Sequence, residues 1–574
     1  MKFLSGLFFS ILLFLGVCVG RVHTGSSKSS PDAGYLFPTD ASHKINSGFA
    51  DYRSSHFHGG MDISTNGRIG YPVFAAKSGY VYRISVSPFG YGKMLILRHD
   101  DSTFTLYAHL SAFSEEIERK VESAQDEENK YGVNLKLNAG EIVVDRGEVI
   151  AYTGATGVGG PHLHFEIRDK DFSFVDPLLF NTLDVPDYRN PRIFNVAVRG
   201  FVSGEAKVSS VVSQRVPHGI PDHSYKAKQT FHMAEPFYFV IHGADSYGGK
   251  FKRPPKYILL RIDGKDFINL NLTHFNADEY MDVASVVDLG LSRRLKTYYD
   301  LCVNRAFPFS VFTPGVPLSG LVGENFPNGN HSYEISIEDE DGHRASVSGK
   351  FVLDIPRPSD KSLDSNSDLS ITPYKEKIFN LSPSLTIRFP ANSFARNIDV
   401  EARLLSPTSF EIESENEMLR SKAELTWKVK DPALRLYRKL KRRWSYVDCY
   451  NDGSFLRAKI GYRTGVFALL RDKTPPVVGK VRFSKRNPFY RSVAPKDIKR
   501  VFVYFKVSDR LSGVNTDDIL LNVGKQKYLC EYDVDKHAAV CQVDLDQLRS
   551  EKKVSVIVSD NAGNERRVVS RTRL

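Results

Sequence analysis

From His162 to Arg168 the chain reads His-Leu-His-Phe-Glu-Ile-Arg, polar and apolar in strict alternation, directly after Gly159-Gly160-Pro161. Successive side chains of a strand point to opposite faces, so the run reads as a strand with an apolar face of Leu163, Phe165 and Ile167. His162, His164, Glu166 and Arg168 then share the other face, with the two imidazoles about 7 Å apart. One imidazole of such a pair can hold a metal ion while the other reaches a group beside it. On its own, a His-x-His pair is more often a surface or hydrogen-bonded pair. A metal reading therefore needs further donors.

Two other segments supply them: His56-Phe57-His58-Gly59-Gly60-Met61-Asp62 and Tyr107-Ala108-His109-Leu110. Zinc accepts imidazole nitrogen and carboxylate oxygen, and a catalytic site uses three protein ligands plus water. His58, Asp62 and His164 form such a set. His56 lacks the three-residue gap to Asp62 and reads as a histidine at the cleft edge. Tyr52 or Arg53 could touch substrate, and Glu166 reads as a supporting or solvent-facing group, not a general base. Gly59, Gly60, Gly159 and Gly160 would let a peptide backbone approach closely. Around His109, Phe104, Leu106, Ala108 and Leu110 are expected to point inward, and Thr105, Tyr107 and His109 the other way.

Short strand patterns broken by glycine run through 72–76, 80–86, 94–98, 104–109 and 149–152. They predict a compact all-β domain over 36–186, interrupted at 114–129 by a charged stretch that opens on a serine before acidic residues, a helix-start signature. A chain of 574 residues exceeds what one core usually supports, so further domains follow. Residues 187–356 and 473–574 are expected to be immunoglobulin-like β-sandwiches, because 333–347 and 554–569 align as hairpins with Asp339 opposite Asp560 and Gly342 opposite Gly563. Residues 369–472 read as a further β-rich domain, with strands at 384–389 and 398–404, after a linker at 357–368.

Residues 1–20 carry Lys2, an apolar stretch over 7–17 and small residues at Cys18-Val19-Gly20, the pattern of a signal peptide. The mature chain is thus expected outside the cytoplasm, in the periplasm or cell envelope or secreted, without a transmembrane segment. A lipoprotein through Cys18 fits less well, since Val17 is large for the position before it. Residues 21–35 read as a flexible leader. Cys530 and Cys541 end two short strands and could pair, while Cys302 and Cys449 lie in separate segments. No Cys-x-x-Cys spacing appears, which disfavours a four-cysteine zinc site. The net charge of +11 suits anionic polymers. No nucleic-acid motif accompanies it, and the densest basic run, 435–443, reads as a solvated face.

Taken together, the three histidine segments resemble the lysostaphin-type zinc peptidases (LytM-like, peptidase family M 23): His-x-x-x-Asp, a histidine in Tyr-x-His-Leu, then His-x-His, all within 58–164. Ser47-Gly48-Phe49, Gly90-Tyr91-Gly92, 146–150 and Gly154-Ala155-Thr156-Gly157 are also similar to that family. The resemblance covers about residues 36–180. It implies an antiparallel β catalytic domain binding one Zn2+ through His58, Asp62 and His164, with His162 and His109 as catalytic histidines. It implies an exported endopeptidase acting on peptidoglycan peptides, and C-terminal β domains that engage the wall or other envelope proteins. The rival readings are a regulatory protein that activates another wall hydrolase and an envelope scaffold. Residues 111–140 are longer than the simplest members carry there, which bears on substrate choice.

Overall fold

A computed structural model describes residues 34–572, apart from 54, 181–184, 186–188, 215–222, 246–252, 293–295, 304–308, 313–319, 324–325, 357–369, 372–374, 392, 394–397, 415–420, 462–463 and 495–498. The expected signal peptide, the leader before Gly34 and nearly all of the linker lie outside these residues. The chain is mainly β, with α-helices among the described residues at Glu115–Glu128 and Leu545–Ser550. No helix of the described residues is long and apolar enough to cross a membrane.

The N-terminal segment is an antiparallel sheet in the order Ile45–Ser47, Met61–Ser64, His162–Arg168, Phe104–Phe113, Lys93–His99, Gly79–Val86, Val133–Lys136. Leu163, Phe165 and Ile167 enter its main apolar core with Met61, Ile63, Val81, Leu95 and Leu97, so the alternation read from this strand holds. The helix begins after Ser114 and buries only Ile117 and Val121, a narrow stripe suited to lying against the core's edge.

The Phe104–Phe113 strand corrects one expectation. His164 pairs with Ala108 and Phe165 with Tyr107. Cross-strand partners share a face, so Ala108 lies on the side of His164 and Tyr107 enters the main core. Phe104, Leu106 and Ala108 form a separate small cluster with Met94 and Ile96 on the face carrying the histidines. Thr105 is buried on the core side, bonded at 3.0 Å to the Tyr107 hydroxyl. At His109 the backbone turns left-handed, with φ of 59°, and the register with Lys93–His99 shifts. That irregularity returns Leu110 to the main core and breaks the simple alternation.

Strands between Arg192–Gly200 and Arg344–Leu353 form one eleven-stranded sheet. Its core takes in Phe49, Phe57 and Phe174 from the N-terminal segment. Phe174–Val175 pairs with His274–Phe275, and Lys256, only 1% exposed, forms an ion pair with the fully buried Asp176. The apolar packing is therefore continuous between the N-terminal segment and the eleven-stranded sheet. Residues 370–471 form two sheets over a core containing Trp427, and 477–571 form two more. Cys530 and Cys541 are disulfide-bonded, and Cys449 is a free thiol. The hairpin likeness is structural as well: Asp339 Oδ1 accepts from the Asp341 and His343 amides, and Asp560 Oδ1 from those of Ala562 and Asn564.

The last pair of sheets packs back on the N-terminal segment. Glu531 accepts from the Tyr131 hydroxyl at 2.9 Å and pairs with Lys93 at 3.1 Å. Asp517 Oδ1 accepts from the Gly132 amide, and Asp535 Oδ2 from that of Gly159, at 3.0 and 3.3 Å. Arg491–Ser492 pairs in parallel with Arg68–Ile69.

Candidate metal centre and active site

The sheet ladder sets Asp62 directly opposite His164, and His58 reaches the same point from the loop before Met61–Ser64. His58 Nε2, His164 Nδ1 and Asp62 Oδ1 form a triangle with every edge 3.0 Å. Atoms at ~2.0–2.1 Å from a tetrahedral ion stand about 3.3 Å apart, so the triangle matches one face of a zinc coordination sphere.

The hydrogen bonds on the far sides of the rings fix the tautomers. His58 Nδ1 donates to the Gly48 carbonyl at 2.6 Å, and His164 Nε2 to Glu166 Oε1 at 2.9 Å. Both inward nitrogens are left as lone pairs facing a carboxylate oxygen, a donor set that calls for a cation at its centre. The electrostatics agree. Burial opposes charge on His164, but the Asp62 and Glu166 carboxylates outweigh it and raise its pKa to about 9, so the centre attracts positive charge, either as a second proton on His164 or as a metal ion that displaces that proton from Nδ1. Burial also opposes ionisation of Asp62, yet the neighbouring His58 and His164 imidazoles hold it well below the usual range.

Further side chains support this triangle, and for Glu166 the supporting role was one of the two readings the sequence offered. Glu166 is fully buried, not solvent-facing; it accepts from Arg168 Nε at 2.8 Å and from the Tyr91 hydroxyl at 2.5 Å. Burial opposes its charge, and Arg168 outweighs that, lowering the carboxyl to about 2. Tyr91 belongs to the Gly-Tyr-Gly motif, so a signal was present. Arg53 donates to Asp62 Oδ2 at 3.1 Å and to Ser47 Oγ at 2.7 Å, holding the carboxylate's other oxygen. His56 lies against Tyr280, which caps the short 3-10 helix Ala277–Glu279, with ring centres 4.9 Å apart, and Tyr280 stacks on Phe174. Nothing near the motifs foretold Tyr280. A Cβ on Gly60 would strike the Phe165 carbonyl and one on Gly59 the Phe174 ring. These two glycines serve internal packing, whereas Gly160 borders open space.

His109 and His162 lie beside the triangle, their ring centres 4.4 Å apart, and His162 Nε2 is 3.5 Å from Asp62 Oδ1. His109 Nδ1 donates to the Thr156 carbonyl at 2.8 Å and His162 Nδ1 to that of Gly160 at 2.7 Å. Burial lowers the pKa of both, that of His109 to about 3. All five residues singled out from sequence are thus gathered at one place.

Residues 56–127 match the model of Peptidase family M23, and the chain contains a domain of that family. The match includes His58, Asp62 and His109 and ends before His162. Over 112 residues the chain is 38% identical to a DD-carboxypeptidase/endopeptidase Mpg of Neisseria meningitidis, covering 19% of this chain and 20% of that protein. It is 27% identical over 157 residues to the murein hydrolase activator NlpD of Salmonella typhimurium, covering 27% of this chain and 34% of the relative. The chain thus spans between a fifth and a third of these relatives' lengths. A zinc-containing peptidase from Vibrio cholerae is similar at 29% identity over 25% of this chain and 39% of that one, with a TM-score of 0.19.

Proposed function

We propose that the chain is an exported zinc endopeptidase that hydrolyses peptide cross-links of bacterial peptidoglycan. Residues 36–186 are its catalytic domain, and 187–356, 369–472 and 473–574 are β modules that hold it on the wall or on an envelope partner. The observation that carries this reading is the triangle of two imidazole lone pairs and a carboxylate oxygen at 3.0 Å, with two further histidines beside it. The Cys530–Cys541 disulfide suits an oxidising compartment outside the cytoplasm.

Zinc held by His58, Asp62 and His164 would polarise a peptide carbonyl and acidify a water. The chain's own residues do the rest. Because Nδ1 of His109 and of His162 is committed to a backbone carbonyl, Nε2 of each neutral ring is a lone pair able to take a proton. The lowered pKa values keep both rings neutral near pH 7, the state a general base needs. The ring that accepts the water's proton becomes a donor at Nε2. It can then stabilise charge developing on the carbonyl oxygen or deliver the proton to the leaving amine. Arg53, through Asp62, keeps the ligand carboxylate oriented.

A second reading, activation of another wall hydrolase, is favoured by the name of the Salmonella relative. One experiment separates the two. The purified protein is incubated with isolated peptidoglycan, with and without a zinc chelator, and released muropeptides are analysed by mass spectrometry. Chelator-sensitive release of uncross-linked peptides is expected. In His162→Ala and His109→Ala it falls roughly 100-fold or more while zinc content is unchanged. No release from any wall type by zinc-loaded protein would reject cleavage in favour of the activator reading.

A further inference from the structure

A second group of acidic residues lies far from the histidines in the sequence. Asp472, Asp509 and Asp560 each place a carboxylate oxygen within 4.8 Å of the others. Asp472 follows the Gly465–Arg471 strand of one sandwich. Asp509 follows Arg500–Ser508 and Asp560 closes Lys553–Asp560, both in the next sandwich. Asp472 and Asp560 are 7% and 2% exposed. Three like charges brought together and largely buried repel one another and lose hydration, so the fold needs a compensating positive charge.

Protein cations do not supply it. Among the described residues no lysine, arginine or histidine forms an ion pair with any of the three. Their hydrogen-bond donors are neutral. Asp472 accepts from the Thr474 and Ser512 amides, and Asp509 from those of Leu511 and Gly513. Asp560 accepts from the Ala562 and Asn564 amides and from Asn564 Nδ2 at 2.8 Å. The aligned turn at Asp339 is an internal contrast. There Asp339 Oδ2 faces His343 Nδ1 at 2.9 Å, an imidazole able to carry charge, where Asp560 meets only a carboxamide.

Two fully buried hydroxyls add an independent sign. Ser512 Oγ and the Tyr437 hydroxyl have no hydrogen-bond partner, and both residues are 0% exposed. The Ser512 amide already donates to Asp472, which sets its side chain beside the carboxylates. Tyr437 comes from the Leu434–Leu440 strand of the preceding sandwich, and its hydroxyl lies in the field of Asp472 and Asp560. A buried hydroxyl without a partner is destabilising, and an ion accepting its oxygen lone pair would offset that cost.

We propose that Asp472, Asp509 and Asp560 bind a calcium ion at the junction of the last two β-sandwiches, with the hydroxyls of Tyr437 and Ser512 turned toward its shell. Every available donor is a hard oxygen, which excludes a preference for zinc or copper. Calcium takes six to eight oxygens at ~2.3–2.6 Å, so its opposed ligands stand about 4.6–5.2 Å apart, a shell that accommodates these carboxylates. Magnesium demands a nearly ideal octahedron at ~2.0–2.1 Å, which three carboxylates fixed by separate turns do not offer. Bound calcium ties the end of one sandwich to two turns of the next and stiffens the Lys473-Thr474-Pro475-Pro476 connection.

The test is equilibrium dialysis of the zinc-loaded full chain against radiolabelled calcium. We expect about one calcium ion per chain, half-saturated at or below roughly 1 mM, the range of extracellular modules. Asp472→Asn and Asp509→Asn each weaken uptake about 10-fold or more, with zinc content unchanged. Asp509 is half-buried, so its variant remains informative if Asp472→Asn fails to fold. Calcium should also slow tryptic cleavage after the exposed Lys473. The proposal is overturned by no uptake at about 10 mM calcium, by unchanged uptake in both variants, or by displacement of calcium by an equal concentration of magnesium.

Discussion

Glu166 Oε1 accepts the Nε2 proton of His164 at 2.9 Å, and this contact determines which nitrogen of His164 faces Asp62. The carboxylate is itself held by Arg168 and Tyr91, so the tautomer is set two residues deep into the sheet.

Replacing Glu166 by glutamine should therefore weaken zinc binding with little loss of fold. Side chains that orient metal-binding histidines contribute about 10–100-fold in affinity. Competition against a chromogenic zinc chelator measures this directly. Wild-type zinc affinity in Glu166→Gln would mean that His164 is oriented by packing alone.

Lys93 is 14% exposed and its charge is met by Glu531, which burial would otherwise disfavour. Glu531→Gln removes that charge and weakens the bond to Tyr131. It should cost about 1–3 kcal/mol at the contact between the N-terminal segment and the last sandwich. Faster proteolytic separation of the last sandwich, with its own melting unchanged, is the expected signature. Equal destabilisation of both parts would contradict it.

His99 predicts an acid-sensitive fold. Its Nδ1 donates to the Ser78 carbonyl at 2.9 Å and its Nε2 lies 3.0 Å from Thr105 Oγ1. Burial, the largest influence, lowers its pKa to about 4. A pKa depressed on folding means that the unfolded chain binds more protons between about pH 6.5 and 4, so stability falls as pH drops through that window. The loss between pH 7 and pH 5 should be roughly 2 kcal/mol for the N-terminal segment, read from urea midpoints. His99→Gln should remove that part of the pH slope.

The site was legible because a His-x-His strand with an apolar opposite face can point its histidines only one way, and His58 and Asp62 lay within reach of the neighbouring strand. The neighbouring strand was harder. Apolar side chains at Phe104, Leu106 and Ala108 looked like core, but this sheet is covered on both faces. Tyr107 and Thr105 enter the main core side because hydrogen bonds satisfy their hydroxyls. The left-handed turn at His109 breaks the alternation that would have revealed this. Tyr280, Glu531 and the Asp472 group escaped for another reason. They act through contacts across long sequence separations, which periodicity does not record.

The contact between Tyr131 and Glu531 joins residues 400 positions apart. A ribosome adding about 5–20 residues per second needs roughly 20–80 s to cover that distance. For that interval Tyr131, Gly132 and Gly159 exist without the partner they later acquire. Among the described residues, the main core of the N-terminal segment draws only on positions between Tyr35 and Val185. The newborn histidine site thus has a core of its own well before its final neighbour has been synthesised.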